Sequence, residues 1–299
     1  MTHPHPSVRV CAYLALDADG HGSNAGAEQD AHGHRALAPT VCSRDRALLL
    51  QVPPVSEILA AQYPDGYWMH RDLGISPRYR ATVWQLLMLA QLGVGPIADS
   101  EMPGELVVPI EIRRAIEVVR EDNLDVCGAL RLRQDAPSLA LTGAILWSLA
   151  RLEAIQVEDW TPTWIWVTQQ LGKAALDPVD AFWLTRAAAA WGREDWLARH
   201  RPWRHAAGLS TYEGPLRFPL ALNPDALAVM EMWTEVDPYI SSSDQIPESA
   251  IAWLQGRQLK AGAWPLEQAL GPLWCDVGAT GAPNPWVTVR ALSVLEYGV

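Results

Sequence analysis

Two stretches of the chain repeat one unusual spacing. In IAWLQGRQLKAGAWP (residues 251–265), Leu254 is followed by Gln258, Gly262 and Trp264. In SEILAAQYPDGYW (residues 56–68), Ile58, Gln62, Gly66 and Trp68 stand at the same separations. Each unit reads as the end of a helix, a glycine that permits a tight turn, and a tryptophan that folds back. The glutamine amide is then expected to satisfy helix-end backbone groups, with the indole covering it. TWIWVTQQLGKAAL (residues 163–176) reads as a decayed third copy that keeps Trp164, Ile165 and Gln169 but has lost the Gly-x-Trp.

From about residue 45 the pattern is helical, punctuated by Pro and Gly, with few β-branched alternations. Five segments are apolar nearly all round: 80–93, 139–152, 180–192, 225–236 and 285–298. Helices of that kind are buried on most sides. Between them lie amphipathic segments at 105–122, 161–173 and 247–259, which suit an outer layer. Buried and amphipathic helices in alternation predict an all-α fold of stacked helical hairpins. Closed on itself, such an array is an α/α toroid, with inner and outer helix rings and a central cavity. The domain spans 45–299, and residues 1–44 read as a flexible segment, because DADGHGSNAGAEQDAHGHRA (17–36) is polar and lacks periodicity. His21, His32 and His34 lie in that segment without carboxylate or cysteine at ligand spacing, which favours a solvated tail over a metal site.

Charge and cysteine usage narrow the classes further. The formal net charge is −11 and the 23 Lys and Arg form no dense run, so nucleic acid is not an expected partner. The four cysteines, Cys11, Cys42, Cys127 and Cys275, are far apart and unpaired in spacing, which fits a reducing, cytoplasmic setting. The opening lacks the layout of a secretory signal, and the longest weakly polar stretch, 136–150, is too short to span a bilayer. No transmembrane segment is expected, although peripheral membrane contact stays open, as does the oligomeric state. Tryptophan is over-represented, 15 residues against two phenylalanines. Its rings can wall a cavity, hold a cation, or simply pack a core.

The repeated Gln, Gly and Trp spacing resembles the QW repeat of squalene–hopene and oxidosqualene cyclases, and of prenyltransferase-type α/α toroids. The resemblance covers residues 45–299 and implies one α-barrel, whereas full squalene cyclases have two. It further implies an apolar, isoprenoid-type or polycyclic small molecule as substrate. In class II terpene cyclases an Asp-x-Asp-Asp motif starts an inner helix, and its middle aspartate protonates the substrate. The nearest match here is LDPVDAFWLT, with Asp180 in the middle position but Pro178 and Ala181 in place of its partners. The competing reading of the stretch is a helix start, with Asp177 as N-cap, Pro178 at the first position and Asp180 in the first turn. Asn223, Pro224 and Asp225 start a later helix in the same fashion.

Other sites implied by the wider superfamily match less well. Prenyltransferases bind zinc through Asp-x-Cys and a later histidine; Cys275 and Asp276 stand in reversed order and no histidine follows. No metal or cofactor is therefore expected. The carboxylates of REDNLD (120–125) fall at the end of an outer helix and read as a solvated face or hinge. Charges inside apolar helices must be paired or face water, which singles out Arg186, Glu231 and Arg290. An ion pair of Glu231 with one arginine is the competing structural role. Trp84, Trp147, Trp183, Trp233 and Trp286 lie on the same helices and are expected to line the pocket. The sequence thus supports a terpenoid-cyclase-like protein whose metal-independent chemistry, if any, is acid-initiated cyclisation or isomerisation by Asp180. The alternative is a binding or scaffold protein that has lost the acid motif.

Overall fold

The computed structural model describes residues 45–98, 105–124, 138–154, 160–171, 176–206, 214–239 and 246–297. The His-rich stretch 17–36, Cys11, Cys42, Cys127 and Asp125 lie outside them. The described chain is helical, with only two-residue strands. In order it forms α1 (Val55–Ala60), α2 (Thr82–Gln91), β1 (Ile97–Ala98), β2 (Leu106–Val107) and α3 (Ile110–Val118). Then come α4 (Leu139–Arg151), α5 (Thr161–Leu171), α6 (Pro178–Ala190), α7 (Glu194–His200) and α8 (Trp203–Ala206). The last elements are β3 (Arg217–Phe218), α9 (Ala226–Val236), α10 (Glu248–Gln255), β4 (Gln268–Ala269) and α11 (Pro285–Tyr297). No helix among the described residues is long and apolar enough to cross a membrane.

The five apolar segments are α2, α4, α6, α9 and α11, and each packs on the next in chain order. The α4 and α6 helices run parallel. Ala140 of α4 lies beside Asp180 of α6, Gly143 beside Trp183, and Trp147 beside Arg186. A Cβ on Gly143 would sit 2.9 Å from the Trp183 backbone, so the missing side chain is what lets α4 and α6 approach. Two parallel helices in succession need a connection that runs back. The α5 helix is that return: Trp164, near its start, packs edge-on at 5.8 Å against Trp191, just past the end of α6.

The inner helices start where side chains can cap them. Asp177 accepts from Val179 N–H with Pro178 opening α6, Ser138 accepts from Leu141 N–H on α4, and Asp225 accepts from Ala228 N–H on α9. The helix-start reading of Asp177 and Pro178 therefore holds. The outer segments are shorter than their periodicity suggests. Residues 105–122 divide into β2, then α3, then a π-helical turn at Val119–Asn123, because Pro109 is held extended at ψ 141 and cannot lie within a helix.

Both repeated units form the same staple. Trp68 is fully buried and its indole N–H donates to the Ile58 carbonyl in the last turn of α1, at 2.8 Å. Trp264 does the same to Leu254 of α10, also at 2.8 Å. The glutamines end in the turn: Gln62 donates to Gly66 O at 3.0 Å and Gln258 to Gly262 O at 2.8 Å. The expected roles are thus exchanged, since the indole satisfies the helix end and the amide braces the glycine turn. The reason is position, because α10 stops at Gln255 and leaves Gln258 beyond the helix. Each staple then reaches an inner helix: Trp68 N–H donates to Thr82 Oγ1 of α2, and Trp264 N–H to Thr288 Oγ1 of α11. Gln62 also donates to Glu111 O, tying the first unit to α3. The third copy forms no such unit, as Gln169 is exposed within α5 while Trp164 packs on Trp191 and Trp196.

Trp264→Ala removes a fully buried ring and its hydrogen bond, a loss of about 3–5 kcal/mol, and is expected to lower the melting temperature by at least ~6 °C. The two glycines separate strain from space. Gly66 and Gly262 both have positive φ, +93 and +82, but a Cβ at Gly66 would meet the Arg114 backbone at 2.6 Å while none is obstructed at Gly262. Gly66→Ala should therefore destabilise clearly more than Gly262→Ala in chemical denaturation, and equal losses would refute this account of the first turn.

Candidate functional site

The charges inside the apolar helices meet at one seam. Arg186 of α6 donates through Nε and Nη2 to both oxygens of Glu235 on α9, at 2.8 and 2.6 Å. Arg290 of α11 grips Glu231 in the same two-pronged way, at 2.8 and 3.0 Å. It also reaches the Arg217 carbonyl at 2.7 Å and Asp225 at 3.3 Å. Glu231 Oε2 stands 3.7 Å from Arg186 Nη1, so the two bidentate pairs form one network across three helices. Glu231 and Glu235 are one turn apart on α9, a spacing that places both on one face. That spacing was the signal for Glu235 in the sequence. Asp225, read as a helix start, caps α9 and joins the network as well.

Burial and neighbours set the protonation of this network. Burial alone pushes the Glu231 pKa up, but the guanidiniums of Arg290 and Arg186 and the Arg290 hydrogen bonds outweigh it and hold the carboxyl below its usual range. Burial likewise lowers Arg186 and Arg290, and the facing carboxylates more than restore both. All three groups are charged at neutral pH.

Aromatic rings frame one side of the seam. The Arg186 guanidinium lies 4.6 Å from the Trp147 ring centre and 5.6 Å from Phe182, while Arg151 approaches Trp147 from 5.9 Å. Trp147 packs edge-on against Trp183 at 6.0 Å. The structure therefore brings Trp147, Arg186, Glu231 and Arg290 together, with Arg151 and Glu235 as members the sequence reading lacked.

The other expected lining residues divide. Trp183 has no exposed surface and its N–H donates to Leu222 O at 2.7 Å, so it is a packed strut and lines no accessible space. Trp84, Trp147, Trp233 and Trp286 keep 6, 3, 9 and 8 % exposure. Trp286 stacks on Phe218 at 5.1 Å. Trp84 donates to Ile75 O and, with Tyr79, Leu87, Met88, Leu220 and Leu273, lines an apolar cleft. About 10 Å³ is open there to the centre of a water-sized sphere, room for one water.

Asp180 is occupied at a helix start. Its Oδ1 accepts from Ala140 N–H at 2.8 Å, so it caps the neighbouring helix α4 rather than its own. Burial holds its carboxyl above the usual aspartate range, the Ala140 N–H pulls the other way, and Asp177 adds to the rise. At the other end of the chain, Asp276 accepts from Gly278 N–H within a turn. Burial, with Glu57 and Asp276 beside it, pushes the Cys275 thiol up to about 12, which leaves it protonated and unreactive. In the REDNLD segment, Glu121 and Asp122 pair with Arg71 at the surface, at 3.2 and 2.6 Å. Arg80 lies 3.7 Å over the Trp274 ring.

No family model matches the chain, and no curated protein or solved structure matches it either.

Arg290→Ala leaves Asp225 buried without its cation and Glu231 with only Arg186, 3.7 Å away, and should cost about 3–5 kcal/mol in denaturant titration. The pH dependence has a definite sign. Because the Glu231 pKa is lower folded than unfolded, its stabilisation is complete above about 4.3 and is lost as pH falls through the folded value. Glu231→Gln should therefore lose stability at pH 7 and show a shallower decline than the parent in melts below about pH 4.

Proposed function

We propose that the chain is a single-ring α/α toroid of the terpenoid-cyclase type, which binds an apolar, isoprenoid-type small molecule against the aromatic faces of its inner helices. The duplicated staple carries this reading: two units far apart in sequence use the same four bonds, indole to helix-end carbonyl, amide to glycine carbonyl, backbone N–H to an inner-helix threonine, and a closed glycine turn. Parallel apolar helices with a returning outer helix suit a closed ring of hairpins. Residual exposure supports the ligand. The staple tryptophans and Trp183 have none, whereas Trp84, Trp147, Trp233 and Trp286 each retain some. The apolar cleft beside Trp84 must widen to admit a ligand, since small-molecule sites run to hundreds of cubic ångströms. No metal, cofactor or nucleic acid takes part, and the protein acts in the cytoplasm.

Asp180 favours a catalytic form of the same reading. An acid that initiates cyclisation must stay protonated in a water-poor place, and burial raises this carboxyl. The binding or scaffold alternative rests on an equally specific observation, that the Asp180 carboxylate already serves the start of α4.

Native mass spectrometry with a panel of prenyl alcohols, prenyl diphosphates and squalene, followed by product analysis, tests these readings. Asp180→Asn keeps an acceptor for Ala140 N–H, so the variant is expected to fold with a melting temperature close to the parent's. Turnover by the parent that Asp180→Asn abolishes establishes the acid; binding without turnover establishes the carrier; no binding of any panel member overturns the ligand.

A further inference from the structure

The seam between α4, α6 and α9 holds buried donors that make no hydrogen bond among the described residues. Arg290 uses all three of its nitrogens, and both oxygens of Glu231 and of Glu235 are engaged by Arg290 and Arg186. Arg186 Nη1, the Trp147 indole N–H and Arg151 Nε are buried and have no hydrogen-bond partner among the described residues. These three belong together. Trp147 and Arg151 are one turn apart on α4, and both guanidiniums lie over the Trp147 ring. Glu231 feels the charge of Arg151 and of Arg186. Arg46, Arg80, Trp160, Trp164, Trp203 and Trp233 also carry a buried donor without an acceptor, but among the described cations over an aromatic ring only Arg186 is buried, at 3 % exposed. A buried donor without an acceptor is costly, and three at one seam point to a group that supplies the missing lone pairs.

The charge balance narrows what that group is. Arg151, Arg186 and Arg290 face Asp225, Glu231 and Glu235, three cations against three carboxylates. A further full negative charge would be set against Glu231 and Glu235. A neutral oxygen meets no such opposition and still accepts two hydrogen bonds. Resting on the toroid reading above, we propose that the ligand is an oxygenated apolar molecule, an alcohol, aldehyde or ketone, whose oxygen accepts from two of the three donors on Trp147, Arg151 and Arg186 while its hydrocarbon body lies on the aromatic faces. Neither a pure hydrocarbon nor a diphosphate fits this donor set as well.

Isothermal titration of the full chain with farnesol, farnesal, farnesene and farnesyl diphosphate tests the assignment. Farnesol and farnesal should bind about tenfold more tightly than farnesene, the gain of a hydrogen bond to a charged donor, and the diphosphate no more tightly than farnesol. Trp147→Phe keeps an aromatic face beneath Arg186 but removes the indole donor, and Arg151→Met removes a second donor at a half-buried position. Each should narrow the difference between farnesol and farnesene several-fold, with melting curves confirming the fold. Equal affinity of the parent for farnesol and farnesene overturns the oxygen site and leaves the isoprenoid reading standing. A diphosphate bound tenfold more tightly than the alcohol also overturns it, in favour of an anion site. If none of the four binds, both readings fall. If both variants keep the full preference for farnesol, the site lies elsewhere and the assignment fails.

Discussion

Helix ends carry backbone groups with no partner inside the helix, and burying an end requires something else to supply one. This chain buries many ends, because its apolar helices are short and lie side by side. Side-chain oxygens of Ser138, Asp177, Asp180 and Asp225 serve helix starts, and indoles serve helix ends and nearby carbonyls. Trp68 and Trp264 donate to carbonyls in the last turns of α1 and α10. Trp191 donates to Leu146 of α4, and Trp84, Trp183 and Trp274 to loop carbonyls beside the inner helices. Phenylalanine would fill the same volume but offers no donor. That difference accounts for these six tryptophans, whereas the buried indoles of Trp147, Trp160, Trp164, Trp203 and Trp233 make no hydrogen bond among the described residues.

Parallel packing of α4 and α6 sets the next requirement. Parallel helices bring like ends together, so a cap on one is within reach of its neighbour. Asp180 exploits this by capping α4 from α6, while Asp177 caps α6 itself. Packing of α6, α9 and α11 gathers their charges. Arg186, Glu231, Glu235 and Arg290 are interior residues of apolar helices, and each is tolerable only because a packed neighbour presents its counter-ion.

On the proposed reading, structure and binding draw on the same residues. The network that fastens α6, α9 and α11 leaves its unused donors beside Trp147, on the α4 side. Truncating the fastening residues would test stability, whereas Trp147 and Arg151 are the positions where recognition can be altered with the fastening left in place.

The sequence by itself determined the helices, which of them are buried, the two staples and the need for Glu231 to find an arginine. Those follow from local periodicity, from a fixed Gln, Gly and Trp spacing, and from the cost of an unpaired buried charge. It misassigned the bonds within the staple, because whether Gln258 lies inside or beyond α10 depends on where the helix stops. It placed Trp183 on a cavity that the side chain does not face, since periodicity identifies a buried helix but not which buried neighbour each ring meets. The third repeat failed for the same reason, with Gln169 held inside α5. Only the tertiary structure decided that Asp180 serves α4, that Arg186 takes Glu235, and that Arg186 stands over Trp147. Those pairings join residues 35 or more positions apart, and no local pattern fixes the register at which two apolar helices pack.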